Sequence, residues 1–370
     1  NYRGVEQFVS YYSDDKNPDF GASDPCQVNV NCPEGTDWQD QKRGVALMYV
    51  IDGWSAGLCS GSLVNNTSFD GTPYFLSADH CGETETGMDV WQFYFHYEAP
   101  TCDNPTTEPS YETIIGSEFR SRGLIDGGSD FLLLELYATP QEIADLNLYY
   151  NGWNKSPDPS NSGVGIHHPS GDIKKISTYT GTLTTTNFWG SMNNAFWEVI
   201  WSSTTTNHGV TEQGSSGSPL FNSNKRIVGT LTGGTSYCTA PNDPDQYGKF
   251  SVHWIDNGAT ANRQLKPWLD PEDTGETEIP GYDPNATADN PPVADFEGNP
   301  TTVVIGGTVD FTDLSSNNPT SWAWTFQNGD PPNSPAQNPS ITYNTLGTHN
   351  VQLIATNAHG SDSEVKNAYI

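Results

Sequence analysis

The chain has 370 residues and carries 45 Asp and Glu against 15 Lys and Arg, a formal net charge of −30 at pH 7. A field of that sign repels nucleic acid and anionic membrane surfaces and favours basic partners, so nucleic-acid binding is not expected. The length suits one large domain plus a smaller one, no apolar run reaches the ~18 residues of a membrane span, and six cysteines point to an oxidising compartment.

Strand-like segments recur between Gly, Asn, Pro and Ser turns over residues 45–51, 72–76, 90–97, 131–136, 226–232 and 248–254. Helical signal is confined to residues 140–146 and to 262–269, the latter despite Pro267. After Pro271 the composition changes. Residues 272–291 carry Glu272, Asp273, Glu276, Glu278, Asp283 and Asp289 among Gly and Pro, which reads as a flexible acidic linker. From residue 292 onward, short alternating segments around Phe296, Phe311, Trp322-Ala323-Trp324 and Val351 read as strands of a second, smaller β-sandwich.

Three polar residues carry the chemical signal. His80 follows an apolar strand end in Phe75-Leu76-Ser77-Ala78-Asp79-His80-Cys81, where Cys81 can lock its backbone, with Cys59 as the natural partner across a hairpin. Asp130 opens the apolar run Phe131-Leu132-Leu133-Leu134, and a carboxylate buried there needs a partner. Ser216 lies in Gly214-Ser215-Ser216-Gly217-Ser218-Pro219, small residues that leave room for a reacting carbonyl. Each has a plain reading on its own: a surface or core histidine, a turn acid, a Gly/Ser turn. Together, in the order His, Asp, Ser, they suit acyl transfer. Ser216 would attack, His80 would carry the proton, and Asp130 would hold the imidazole tautomer. The backbone N–H groups of Gly214 and Ser216 would form the oxyanion hole, each donor worth ~3–4 kcal/mol.

The histidine and serine motifs resemble those of chymotrypsin-fold serine proteases. The match is closer to the bacterial lysyl endopeptidase branch, the family of Achromobacter and Lysobacter protease I. Cys32-Pro33-Glu34-Gly35, Gly61-Ser62-Leu63-Val64-Asn65-Asn66-Thr67, Gly165-Ile166-His167-His168-Pro169 and Asp245-Gln246-Tyr247-Gly248 extend the resemblance over residues 22–271. It implies an all-β, two-barrel antiparallel fold with the site between the barrels, preceded by an N-terminal extension or propeptide remnant over residues 1–21. It also implies the disulfides Cys26–Cys238, Cys32–Cys102 and Cys59–Cys81, export from a bacterial cell, a monomer, and no cofactor or metal. His167-His168 belongs by the same resemblance to a strand of the second barrel.

Trypsin-like enzymes carry an aspartate six residues before the nucleophile, where this chain has Val210. The lysyl branch takes its acid from the segment that here contains Asp245, which implies pairing of a substrate Lys at the pocket floor. Trp189 matches an aromatic that flanks the catalytic histidine. Thr232 replaces a histidine near the pocket, which leaves Arg open beside Lys. The strand Thr230–Gly234, with Thr232, Gly233 and Gly234 as its substrate-binding residues, would pair with the substrate backbone.

The C-terminal segment, residues 292–370, resembles a PKD (polycystic kidney disease) domain, an immunoglobulin-like sandwich, with Gln327-Asn328-Gly329-Asp330 in place of the usual Gly-Asp-Gly. It implies docking to substrate or to a surface, or a passive spacer. Asp310 and Asp313 could hold Ca²⁺ with other oxygens, against the plainer reading of solvated acids. The expected function is a secreted serine endopeptidase acting on protein or peptide substrates with basic residues, after Lys, with Arg open. The alternatives are a serine protease of other primary specificity, should Asp245 point away from the pocket, and a catalytically silent homologue that binds or adheres.

Overall fold

The computed structural model describes residues 20–52, 55–82, 87–286, 291–317, 319–357 and 360–370, so residues 1–19 of the extension expected over residues 1–21 lie outside it. The chain divides into two compact units, Asn1–Pro284 and Asn285–Ile370.

In the first unit, seven strands form one antiparallel sheet: β1 (Val45–Asp52), β2 (Ser55–Leu63), β3 (Tyr74–Ser77), β4 (Gln92–Phe95), β5 (Glu112–Ile115), β6 (Ser117–Gly123) and β7 (Phe131–Leu136). Their spatial order is β5-β4-β1-β2-β3-β7-β6. The unbroken apolar run of β7 suits its place between β3 and β6, where Phe131 to Leu134 are all buried.

A second sheet contains β8 (Trp153–Asn154), β9 (Gly163–His167), β10 (Lys175–Tyr179), β11 (Thr184–Thr186), β12 (Phe196–Val199), β13 (Pro219–Asn222), β14 (Ile227–Gly234), β15 (Asp245–Lys249) and β16 (Glu278–Ile279). Its main path runs β10-β9-β13-β14-β15-β12-β11, with β8 beside β14 and β16 beside β8. Each sheet wraps its own core, Met48, Phe75, Phe93 and Leu134 in the first and Trp197, Trp201, Leu231 and Tyr247 in the second. A third cluster joins them, with Leu76, Phe131 and Leu133 packed together with Ile166, Phe221, Ile227 and Phe250. Two half-barrels that share an apolar seam are the chymotrypsin-like architecture. The disulfides are Cys26–Cys238, Cys32–Cys102 and Cys59–Cys81.

Three expectations are corrected. Residues 250–255 are not a continuation of a strand but a helix, Phe250–Ile255. Phe250, His253 and Trp254 recur at helical spacing and are buried together, Phe250 and Trp254 against Trp153. Residues 262–269 are not one helix: a 3-10 turn over Ala261–Arg263 is followed by a separate helix over Lys266–Leu269. Pro267 has no N–H to donate and is accommodated in the first turn of the second piece. The acidic segment 272–291 is not a free linker throughout. Glu278 and Ile279 pair with Asn154 and Trp153, Tyr282 pairs with Tyr150, and Asp283 takes a 2.5 Å ion pair from Arg43. Ile279, 97 % buried in the apolar seam, anchors a stretch whose acidic composition hid it. The helix expected near residues 140–146 spans Pro140–Asp145, started by a capping box between Thr139 and Glu142.

The second unit is a sandwich of two four-stranded sheets. One contains β17 (Phe296–Asn299), β18 (Gly307–Asp313), β20 (Gly329–Asp330) and β22 (Ser340–Tyr343), and the other β19 (Ser321–Phe326), β21 (Asn333–Ser334), β23 (Val351–Asn357) and β24 (Gly360–Lys366). Burial alternates along β17 and β23, as a half-buried sheet requires, and Phe296, Phe311, Trp324, Phe326 and Leu353 fill the interior. Asp313 Oδ2 accepts from Trp322 Nε1 at 2.7 Å, and Asp310 Oδ1 accepts from the Ser340 hydroxyl, so both carboxylates considered for Ca²⁺ are engaged by the sandwich itself.

Candidate active site

His80 sits in a single 3-10 turn, Asp79–Cys81, at the end of β3, and the Cys59–Cys81 disulfide ties that turn back to β2. Asp130 immediately precedes β7 and is fully buried. Its Oδ1 accepts the His80 backbone N–H at 3.0 Å and its Oδ2 meets the ring Nδ1 at 2.8 Å. One carboxylate thereby fixes both the backbone and the ring, and with Nδ1–H donated to it, the neutral ring carries its acceptor lone pair on Nε2. Burial pushes the Asp130 pKa up. The His80 charge and hydrogen bonds, with the Thr232 hydroxyl, outweigh it and hold the carboxyl below its usual range.

Thr232 is itself fully buried, with its hydroxyl acting on the Asp130 carboxylate.

Asp130 has φ +61°, a strained value for a non-glycine residue. Its neighbours hold it there. Ser129 N–H bonds to Asn257 Oδ1 at 2.9 Å, and Ser129 Oγ meets His253 Nδ1 at 2.7 Å. On the ring's other side His253 Nε2 meets Thr230 Oγ1 at 3.1 Å. Sequence reading missed this clamp because Ser129 and His253 lie 124 residues apart.

Ser216 is half-buried on the connection into β13. Its carbonyl accepts the Ser60 N–H at 2.7 Å, Ser60 Oγ donates to Gly214 O at 2.8 Å, and Ser77 Oγ donates to Ser60 O at 2.8 Å. The serine loop is thus docked on the strands that lead to His80. Gly217 must be glycine, because at φ +79° a Cβ would meet Ser77 Oγ at 2.0 Å and Ser60 O at 2.5 Å. Among the described residues, neither the Gly214 nor the Ser216 N–H is used by another group of the chain, and Ser216 Oγ is not hydrogen-bonded. A loose serine–histidine approach is usual before substrate binds.

Asp79 is buried, with Oδ1 accepting from Arg122 Nε and Oδ2 from the Ile125 N–H at 3.1 Å. Burial raises its pKa, the Arg122 hydrogen bond and charge oppose that, and the Asp130 charge adds to it. Ile125 begins a loop on which the Trp189 loop rests, through Gly127 N–H to Gly190 O at 2.8 Å and Met192 N–H to Gly128 O at 2.9 Å. Trp189 is 83 % exposed, a large ring offered to solvent, whereas its neighbour Phe188 is core.

Asp245 opens β15 and is fully buried. Its Oδ2 accepts from Trp201 Nε1, Thr211 Oγ1 and Ser236 Oγ, each at 2.7 Å, and Oδ1 accepts the Ser236 N–H at 3.2 Å. Burial raises its pKa and the donors only partly offset this. Gly233 and Gly234 of β14 pair with Gln246 and Asp245. The Gly234 carbon stands so close that a Cβ there would lie 1.9 Å from Asp245 Oδ1.

For a metal, the described residues offer one grouping of three ligand-type side chains, Asp24, Glu212 and Cys238, and Cys238 is consumed by its disulfide. No helix among the described residues is long and apolar enough to cross a membrane.

Two antiparallel half-barrels with a His–Asp pair, its aspartate fully buried, beside a serine loop define the chymotrypsin-like class of protein. Residues 20–248 match the family described as lysyl endopeptidase, C-terminal domain, and residues 294–370 match the PKD domain. The chain belongs to the lysyl endopeptidase family. A curated relative, the lysyl endopeptidase of Pseudomonas aeruginosa, is 32 % identical over 263 residues, 66 % of this chain and 54 % of the relative, so the chain spans about half of that protein's length. Among solved structures, the thermostable serine protease AL20 from an extremophilic microorganism is 14 % identical over 56 % of this chain and 91 % of its own, with a TM-score of 0.39. The serine endoprotease from Yersinia pestis is 16 % identical over 58 % and 61 %, with a TM-score of 0.39. Protease Anisep from Arthrobacter nicotinovorans is 17 % identical over 56 % and 90 %, with a TM-score of 0.38.

Proposed function

We propose that the chain is a secreted bacterial serine endopeptidase that cleaves peptide bonds after Lys through an acyl-enzyme. The observation that carries this reading is the His80–Asp130 pair, 2.8 Å apart and screened from water, beside a serine loop with two unused backbone N–H groups. Ser216 Oγ attacks the scissile carbonyl as His80 Nε2 takes its proton, and the oxyanion is received by the Gly214 and Ser216 N–H groups. Collapse breaks the C–N bond, and His80 returns the proton to the leaving amine. Water then repeats the sequence on the ester and frees Ser216. Asp130 offsets the imidazolium charge throughout.

Asp245 supports Lys over Arg. Three donors crowd its Oδ2, while Oδ1 takes one N–H and stands beside the Gly234 backbone. A carboxylate with one oxygen so occupied suits an ammonium, a compact point charge. A guanidinium fork seeks two oxygens at once. The exposed Trp189 is read as a substrate contact on the histidine side, and the Gly233 and Gly234 backbone as the edge along which the peptide lies. The three disulfides support export, and the PKD unit is read as a docking module on a monomeric protein.

Mapping the cleavage sites that the wild type, Ser216→Ala and Asp245→Asn leave in a denatured protein tests the reading. The wild type is expected to cut after Lys, Ser216→Ala not at all, and Asp245→Asn slowly and without Lys preference. Cleavage that survives Ser216→Ala removes the mechanism. Lys selectivity that survives Asp245→Asn removes only the pocket.

A further inference from the structure

The histidine of the Gly165-Ile166-His167-His168-Pro169 motif has no part in the mechanism above, yet it lies beneath the nucleophile. His167 ends β9 and is fully buried. Its Nδ1 meets Ser215 Oγ at 2.8 Å and its Nε2 meets Ser177 Oγ at 3.0 Å. The protons can be counted. Ser177 Oγ spends its single hydrogen on Val210 O at 3.3 Å, so it can only accept from the ring, and Nε2 must be the N–H. Nδ1 of the neutral ring then accepts the Ser215 hydroxyl, whose oxygen in turn accepts the Glu212 N–H at 3.1 Å. Every donor and acceptor is used, and one tautomer is selected.

A charged ring does not fit this frame. Both nitrogens would donate, the Ser215 hydrogen would lose its acceptor, and a second cation would stand near the Lys175 ammonium. The surrounding charges are Lys175 and Asp172 on the β10 side and Glu212 on the loop, whose carboxylate is engaged by Gln27 Nε2 at 2.6 Å and Ser170 Oγ at 2.7 Å. Buried His168 adjoins on the chain, its ring turned to Asp172 O at 3.0 Å.

We propose that His167 is a positioning residue for the nucleophile: its neutral Nε2–H ring ties β9 and β10 to Val210, Glu212 and Ser215, and so fixes the aim of the Ser216 hydroxyl and of the Gly214 and Ser216 N–H groups. This rests on the endopeptidase reading above. The ring touches no reacting atom. It acts through Ser215, which is covalently joined to Ser216 and whose hydroxyl is bonded to the ring on β9, while the ring's other nitrogen is bonded to Ser177 of β10.

The test uses the full chain with a chromogenic Lys peptide, each kcat being expressed per Ser216 labelled to completion with a fluorophosphonate and counted by intact mass. His167→Ala is expected to lower kcat per labelled site about 100-fold, with KM moved less than about threefold, as for lost oxyanion geometry. The affinity for a peptide aldehyde, which forms the tetrahedral adduct, should fall by the same factor. His167→Asn keeps an acceptor where Nδ1 was and should recover about tenfold of the loss. Ser215→Ala should match His167→Ala, and the double variant should be no worse than either, because the two act as one unit. If His167→Ala does not fold, Ser215→Ala and His167→Asn carry the same expectations. A variant that melts lower but keeps its kcat per labelled site overturns the proposal, as does a change in KM alone. A wild-type chain that takes no label at Ser216 overturns the endopeptidase reading, and the positioning role with it.

Discussion

At Asp130 a side chain with no exposure, an unusual φ and two hydrogen bonds to one histidine has a single consistent state, the carboxylate. Asp130→Asn keeps the volume and can still accept the His80 N–H. It can no longer both accept there and receive Nδ1–H without turning an amide N–H toward the ring. The ring would then present the wrong tautomer to Ser216, and kcat is expected to fall about 10⁴-fold with little loss of stability. Steady-state kinetics beside near-UV circular dichroism check this. A loss below about tenfold would mean that the His80–Asp130 bond does not set the tautomer.

At the scale of elements, the proposed substrate pocket depends on how β14 meets β15. A register shift between Leu231 and Gly233 sets Gly234 opposite Asp245, and that pairing brings backbone against carboxylate. Gly234→Ala would force a methyl into the Asp245 Oδ1 position, so one strand or the carboxylate must move. The expected result is a rise of about 10-fold or more in KM for Lys peptides, because the charge partner is displaced. Labelling of Ser216 by a fluorophosphonate should proceed at the wild-type rate, since the variant leaves His80 and Asp130 untouched. An unchanged KM would remove Gly234 and Asp245 from the pocket.

How far such elements could be read from sequence varied with how local their cause is. Strand β7 was legible as an unbroken apolar run, and the serine loop as a cluster of small residues before an apolar strand. The helix Phe250–Ile255 was not, since Phe250, His253 and Trp254 fit a strand's end or a helix face until Trp153 is known to lie beneath Phe250 and Trp254. Strand β16 was hidden in an acidic stretch because one apolar residue, Ile279, decides its docking. The supports of the site were the least legible. Ser129 with His253, His167 with Ser215, and Asp79 with Arg122 are polar pairs that only the fold brings together. A motif such as Gly165-Ile166-His167-His168-Pro169 announces that something is there without saying what it touches.

For the molecule as a whole, buried neutral histidines make stability depend on acid in a way that net charge does not reveal. Burial holds His253 and His167 each down to about 3, from an ordinary value of 6.5, so both are uncharged in the fold. A base whose folded pKa is depressed binds fewer protons than the unfolded chain between the two values. Its contribution is therefore intact above about pH 6.5 and is lost as pH falls toward 3, at ~1.4 kcal/mol per pH unit for each group. Buried Asp79 and Asp245, whose pKa values are raised, work in the opposite sense, so the sum over the chain is not diagnostic. The difference between the wild type and His253→Gln is. His253→Gln loses packing against Phe131 and the clamp on Ser129, and it should be the less stable protein at pH 7.5. Its glutamine does not titrate, so the gap should narrow by ~1.4 kcal/mol per unit as the pH is lowered from 6.5 to 4.5. Hydrogen exchange of β14 amides, compared between the two proteins at each pH, reports this for the protease unit alone. A gap that stays constant across that range would mean that His253 is already charged within the fold, and that the clamp behind Asp130 is an ion pair and not a neutral relay.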